Sequence, residues 1–448
     1  EDAVFVRNRF IRTKGYERER LRKKMIYRGM FGSQKPGGVF ANFAIKIKQA
    51  ANRFGVYHGG RLLALHDWGL PYSVDPASLL TRGRTTVRAE FNENERMVPS
   101  ARIDPSSKNL ILASKSFSPV GMTLNFVEFN DDYRPQRRQR VGVSSQLLAD
   151  FGCTERYHVV VQSPYRLDYN GLFYGAKLRV QNAISKTGGA LQVVLVDRAT
   201  GQVTVIVLSE VRRQTLSPPE RALMKRLFRY LQKHNVPMSA AYAGHIAASY
   251  DTADGGVVVD LILHDDLPLG QGVMGLDYAK TVPRSTLYRI EVGATGDVTC
   301  KSLSDTHCDF PYADPHIRGE EHRYIYSLTA GDGCVSPLRG ISKIDTKTGE
   351  EQIWLPSKGS SFCSAPVYAP REGSAGKGDD SGYIVTMEYD GANDSASVVV
   401  LDARSPQEGP LCRIMLREPL PQGLGSVWTD KTFTSQDATK YNSYEIFK

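Results

Sequence analysis

The sequence predicts an all-β chain, a propeller or comparable large closure of sheets, on three observations. First, short apolar runs bounded by turn residues recur almost from end to end, as in Leu191–Val196 with Val203–Leu208 and in Tyr383–Tyr389 with Ser397–Ala403. Second, one turn device is used twice, Asp197-Arg-Ala-Thr-Gly201 and Asp345-Thr-Lys-Thr-Gly349. Third, no low-complexity linker divides the 448 residues, so residues 28–448 read as a single domain. The internal repeats are too diverged to count blades from periodicity alone.

Taken in order, residues 1–27 form a basic arm, in which Arg7, Arg9, Arg12, Lys14, Arg18, Arg20, Arg22, Lys23 and Lys24 crowd together. A solvated edge is one reading; contact with an acidic protein or an anionic membrane surface is the other. No nucleic-acid-binding motif accompanies the charge, so nucleic acid is not an expected partner. The glycine-rich stretch Arg28–Gly38 lacks the Gly-Lys-Ser/Thr of a phosphate-binding loop. Val56–Leu65 reads as a hairpin turning at Gly59-Gly60. Arg134–Arg140 reads as a basic loop between strands. Ser217-Pro-Pro-Glu220 opens the one strong helix signal, a basic insertion over about 217–234 with Leu223, Leu227 and Leu231 on one face. Gly244–Asp251 then places His245 just ahead of the apolar run Val257–Leu263.

Several classes of function are excluded. No run of eighteen apolar residues suggests a membrane-spanning helix. The six cysteines form no CxxC pair, which argues against structural zinc and a disulfide framework. Neither a Gly-x-Ser-x-Gly elbow nor a His-Glu-x-x-His helix is present. Asp265-Asp266 and Asp379-Asp380 fall in turn-like contexts and read as solvated.

Residues 28–83 read RGMFGSQKPGGVFANF, KIKQAAN and YHGGRLLALHDWGLPYSVDPASLLT, and further matches follow in order. They include Arg102-Ile-Asp-Pro105, Asp150-Phe151 with Thr154 and Tyr157, Asp309-Phe-Pro311, Arg323-Tyr-Ile-Tyr326 and Asp379-Asp-Ser-Gly-Tyr383. In these the chain closely resembles the carotenoid cleavage oxygenase family. The resemblance implies a seven-bladed β-propeller with a cap of helices and loops over one face. It also implies an axial Fe(II) held by four histidines, which activates dioxygen to cut a polyene double bond.

Carried over residue by residue, the implied ligand positions are Ser100, Ala149, His245 and Gly425, so His245 is the lone remnant. The three glutamates that orient such histidines correspond to Asp67, Asp309 and Ala365. An aspartate, one methylene shorter, is not expected to reach its imidazole without movement. Losing ligand and orienter together is what relaxed selection would produce, and a lone imidazole holds a divalent ion weakly. His66 beside Asp67 and His307 near Asp309 are alternative donors, although strand alternation points them away.

The expectation that follows is a catalytically inactive relative with no cofactor. It would be an accessory or scaffold subunit of a larger membrane-associated complex, photosynthetic and thylakoid-bound in a plastid, or else mitochondrial. The arm and the helix 217–234 would be its contact surfaces. The alternatives are a protein that binds a carotenoid or other isoprenoid without cutting it, and an active Fe(II)-dependent dioxygenase with atypical ligands.

Overall fold

The computed structural model describes residues 6–29, 47–104, 106–118, 121–143, 147–168, 183–208, 241–268, 282–314, 319–331, 334, 336–373, 378–420, 422–423 and 425–433. The predicted helix 217–234 lies outside them.

Six antiparallel sheets follow one another along the chain, spanning 54–84, 96–143, 152–208, 242–302, 308–354 and 361–415, each with its strands in sequence order. These are propeller blades. In each, the first strand lies at the centre and the last at the rim. The third blade carries an extra two-stranded ribbon, Tyr165–Leu167 with Ile184–Lys186. Six of the seven expected blades are thus seen among the described residues. The helical elements there are Lys14–Arg22 and one 3-10 turn, so they do not display the helical part of the expected cap.

The hydrophobic cores lie between neighbouring blades. Val161, Leu195, Val259, Leu261 and Ile290 pack the third blade on the fourth. Val98, Phe126, Phe151 and Val194 pack the second on the third, and Ile262, Leu287, Ile325 and Ile344 the fourth on the fifth. A middle strand is therefore buried on both faces, which is why Val257–His264 is apolar with little alternation and buried throughout. Asp260, within that strand, is matched by Arg289 at 2.8 and 2.7 Å and by His322 Nε2 at 3.0 Å.

The repeated turn has a common physical basis. Asp197 Oδ1 accepts from the amides of Ala199 and Thr200, and Asp345 Oδ1 from those of Lys347 and Thr348. Gly201 and Gly349 both take φ of +76°, open to glycine at no steric cost.

Two local expectations are corrected. Arg134–Arg140 lies almost entirely in a rim strand, Pro135–Val143, rather than in a loop. Its arginines face solvent or bind Glu128 and Glu90, a charged edge of the kind that discourages pairing between chains. The Asp379-Asp380 pair is structural: Asp379 accepts from the amides of Arg323 and Tyr324, and Asp380 from Lys343 Nζ at 2.8 Å. Asp266 likewise accepts from Tyr165 Oη and Lys186.

The described part of the basic arm is fixed to the first blade. Thr13 caps the helix Lys14–Arg22, its hydroxyl accepting from the Tyr16 amide, and Lys23 ends it in the left-handed region. Hydrogen bonds from the Lys14 amide to Tyr72 Oη and from the Arg12 amide to Thr81 Oγ1 strap the arm to the first blade.

Candidate functional site at the propeller axis

The innermost strands of the six blades converge on one cavity of about 120 Å³. Four of these strands break their regular pairing at its level. Register shifts fall between Met97 and Ala101, between Ala243 and Ala248, and between Asp309 and Tyr312, and the sixth blade's inner strand is interrupted at residues 364–366. A bulge bends a strand and re-aims its side chains. Here the bulged stretches supply Ser100, His245, Phe310 and Ala365 to the cavity wall. Phe310 adopts φ of +53°, a strained setting for an aromatic residue, at the point where its strand turns toward the axis.

All four positions carried over as ligand sites, Ser100, Ala149, His245 and Gly425, line this cavity together. The sequence thus brought four distant residues to one place. His245 supplies the imidazole of that set. Its Nδ1 lies 2.8 Å from Asp309 Oδ1, leaving Nε2 as the open nitrogen, and its ring sits 4.8 Å from that of Phe310. Asp309 also has His264 Nε2 at 3.5 Å from its other oxygen. Burial pushes the Asp309 carboxyl up, but His245, His264 and the Phe310 amide outweigh it and hold the group well below the usual carboxylate range. The aspartate therefore does reach its imidazole, contrary to expectation, because the bulge and the positive φ carry the backbone forward.

The other two orienting positions differ. Asp67 faces Arg53 at 3.4 Å and Lys115 at 3.7 Å. Ala365 contributes its backbone to the C-terminal tail: its amide donates to the Gly423 carbonyl and its carbonyl accepts from Ser426 Oγ. The tail passes between the inner strands of the sixth and first blades, with Gly425 against Arg53 and Phe54. His66 and His307 do not line the cavity; His307 Nδ1 accepts from the Ser285 amide at 2.8 Å.

Sequence reading missed Arg102, Cys153 and Ser100 Oγ as chemical features of the wall. Arg102 Nη2 meets both oxygens of Asp150 at 2.9 Å and the Ile246 carbonyl at 3.1 Å, and Asp150 in turn accepts from the Ile246 amide. The pair knits the inner strands of the second, third and fourth blades. Cys153 is no nucleophile, because burial pushes its thiol up to about 12. Ser100 Oγ is buried without a hydrogen-bond partner among the described residues, and Ser100 lines the cavity. The motif Arg102-Ile-Asp-Pro105 was the available signal for Arg102.

The family model described as retinal pigment epithelial membrane protein matches residues 1–430. Apocarotenoid-15,15'-oxygenase of Synechocystis is 27% identical, over 96% of this chain and 83% of its own length. Isoeugenol monooxygenase of Pseudomonas putida is 21% identical, over 95% and 84%. The chain belongs to the carotenoid cleavage oxygenase family. Its fold follows that of cobalt-substituted Synechocystis ACO, with a TM-score of 0.81 at 24% identity over 94% of this chain and 83% of that one. The propeller fold is that of this seven-bladed structure, as the resemblance implied, with six of the blades among the described residues. In this carotenoid-oxygenase-family chain, the axial cavity is where inner-strand bulges gather the candidate residues.

Proposed function

We propose that this member of the family binds a conjugated alkene in its axial cavity and does not cut it by the iron chemistry that the resemblance implies. The observation that carries the proposal is the set of side chains at the four converging positions: one imidazole, one hydroxyl, one methyl group and one glycine. Iron(II) needs several nitrogen donors on converging vectors, and this set does not fit it. Among the described residues no three His, Cys, Asp or Glu side chains are placed to hold a metal ion. At Gly425 even a Cβ would stand 3.1 Å from the Arg53 carbonyl oxygen, so an imidazole there requires the wall to move.

Three features support ligand binding. Phe54, Ile246, Phe310, Pro311 and Tyr312 give the cavity apolar and aromatic walls. Ser100 Oγ and His245 Nε2 add polar anchors of the kind that orient a bound small molecule. Relatives named for apocarotenoid, isoeugenol and resveratrol substrates suggest the class, since each such compound holds a double bond within a conjugated system.

Those same relatives favour a second reading, cleavage by an iron centre built from other donors, because each is named as an oxygenase. The accessory-subunit expectation, in a plastid or a mitochondrion, draws no support from the cavity or from these relatives.

Iron content per chain, measured on protein purified anaerobically with Fe(II) supplied, separates the readings. We expect a value well below one, together with an absorbance shift of an added apocarotenal that saturates at one ligand per chain. Iron near one per chain that falls on His245→Ala would instead make the protein a cleavage oxygenase. Neither iron nor ligand uptake would remove the cavity from its function.

A further inference from the structure

We propose that residues 6–25 form a docking element for an anionic lipid surface. This stretch carries a net charge of +7, against +9 for the whole chain, so the remaining 428 residues are close to neutral. Only part of this charge is used within the fold. The helix Lys14–Arg22 buries none of its residues. Arg12 and Arg20 pair with Glu17, and Arg18 donates to Tyr27 Oη. Arg9, Lys14, Arg22, Lys23 and Lys24 are exposed, and their side chains make no ion pair among the described residues.

The arm is nonetheless held in place. Besides the bonds from Arg12 and Lys14, Ile11 packs on the cluster of Ala51, Ala64, Tyr72 and Val74, and Lys48 pairs with Glu19. A freely solvated tail would have no such fixings, whereas a docking element must present its charges from a set position on the rim.

Exposed apolar side chains sit among the cations: Phe10 is 80% and Leu21 76% accessible, with Val6 and Met25 also exposed. An acidic protein would take the charges alone, without a reason to meet the exposed Phe10 and Leu21. A lipid headgroup layer takes both, since cations meet the lipid phosphates and carboxylates while apolar tips enter the acyl boundary. Each Lys or Arg at such a surface contributes about fivefold in partitioning, the equivalent of ~1 kcal/mol.

The test is co-sedimentation of the full chain with vesicles of phosphatidylcholine alone and of phosphatidylcholine mixed with phosphatidylserine. We expect retention on the mixed vesicles only, weakening as salt is raised because exposed charges are screened. The variant with Arg9, Arg22, Lys23 and Lys24 all changed to Gln should lose partitioning by roughly two to three orders of magnitude at an unchanged thermal midpoint. Phe10→Ser with Leu21→Ser should lose about tenfold more gently, with the salt dependence kept. Equal retention on neutral vesicles, or full retention by the quadruple Gln variant, would overturn the proposal. So would retention that an acidic polypeptide or RNA abolishes at a concentration too low to alter ionic strength, because the arm would then belong to a macromolecular partner.

Discussion

Two aspartates, Asp309 and Asp67, stand at matching places behind the cavity wall, yet they have opposite fates. Asp309 holds imidazoles, His245 at 2.8 Å and His264 at 3.5 Å. Asp67 holds cations, Arg53 at 3.4 Å and Lys115 at 3.7 Å. The side chains are identical, so the difference lies in the backbone and the neighbours. At Asp309 the strand bulges and Phe310 takes φ of +53°, which shortens the gap that a missing methylene would open. At Asp67 two long flexible cations, Arg53 and Lys115, reach the carboxylate instead. The same acid thus serves an imidazole at one place and an ion pair at the other.

The largest expected effect is at the first corner. Asp309→Ala leaves buried His264 and half-buried His245 without their acceptor, and breaking a largely buried pair of this kind costs about 2–4 kcal/mol, read as a lower urea midpoint. Asp67→Ala should cost less, about 1–2 kcal/mol, because its partners are more distant. Burial together with the nearby Arg96 and Arg53 already pushes the Lys115 ammonium down, so it can shed its proton when the carboxylate is removed. A larger loss from Asp67→Ala than from Asp309→Ala would break the comparison.

Acid sharpens it. Asp309 and Asp260 are both held below the ordinary carboxylate range; burial opposes this in each, but His245 and His264 prevail at the first, and Arg289 and His322 at the second. A depressed folded-state value means that the unfolded chain takes up protons first as pH falls. The stabilisation is therefore complete above about pH 5 and is lost progressively below about pH 4. Urea midpoints measured at steps across that range should fall steeply in the parent protein and less steeply in Asp309→Ala. Equal slopes would show that Asp309 does not carry its share of the acid sensitivity.

Much of this was legible in the sequence, for reasons particular to each element. Paired strands showed themselves because Asp197 and Asp345 each begin a turn that only a glycine at the end can close. The four positions at the axis could be placed because their flanking motifs are recognisable, on inner strands for Ser100 and His245 and in the segments beside them for Ala149 and Gly425. The bulges could not be read, since a one-residue register slip leaves no compositional trace. For that reason the reach of Asp309 to His245 was misjudged. Arg134–Arg140 was misread because a rim strand has only one face to bury, and a run of Arg and Gln around Pro135 resembles a loop. Cys153 and Ser100 Oγ gained their meaning only from burial, which depends on the packing of blades distant in sequence.

The smallest expected effects come from the two glycines nearest these corners, Gly244 and Gly425, and they test whether the wall yields equally on both sides. A Cβ at Gly244 would lie 2.9 Å from His264 Nε2 and 3.6 Å from the Ile262 carbonyl oxygen. His264 is buried and packs against Tyr242 with ring centroids 5.8 Å apart, so it has little room to retreat. Gly244→Ala should therefore cost about 1 kcal/mol by prising His264 from Asp309, while the tighter bond to His245 survives. A Cβ at Gly425 would meet the Arg53 carbonyl oxygen at 3.1 Å, and neither glycine takes a positive φ, so the cost at each is steric alone. The Gly425 segment is held by contacts to Ser364 and Ala365 rather than by a sheet. It can shift by a few tenths of an ångström, and Gly425→Ala should cost no more than about 0.5 kcal/mol. Thermal midpoints of the two variants decide the matter. A Gly425 variant as unstable as the Gly244 one would mean that the tail is a fixed part of the axial wall, held as rigidly as the strand that carries Gly244.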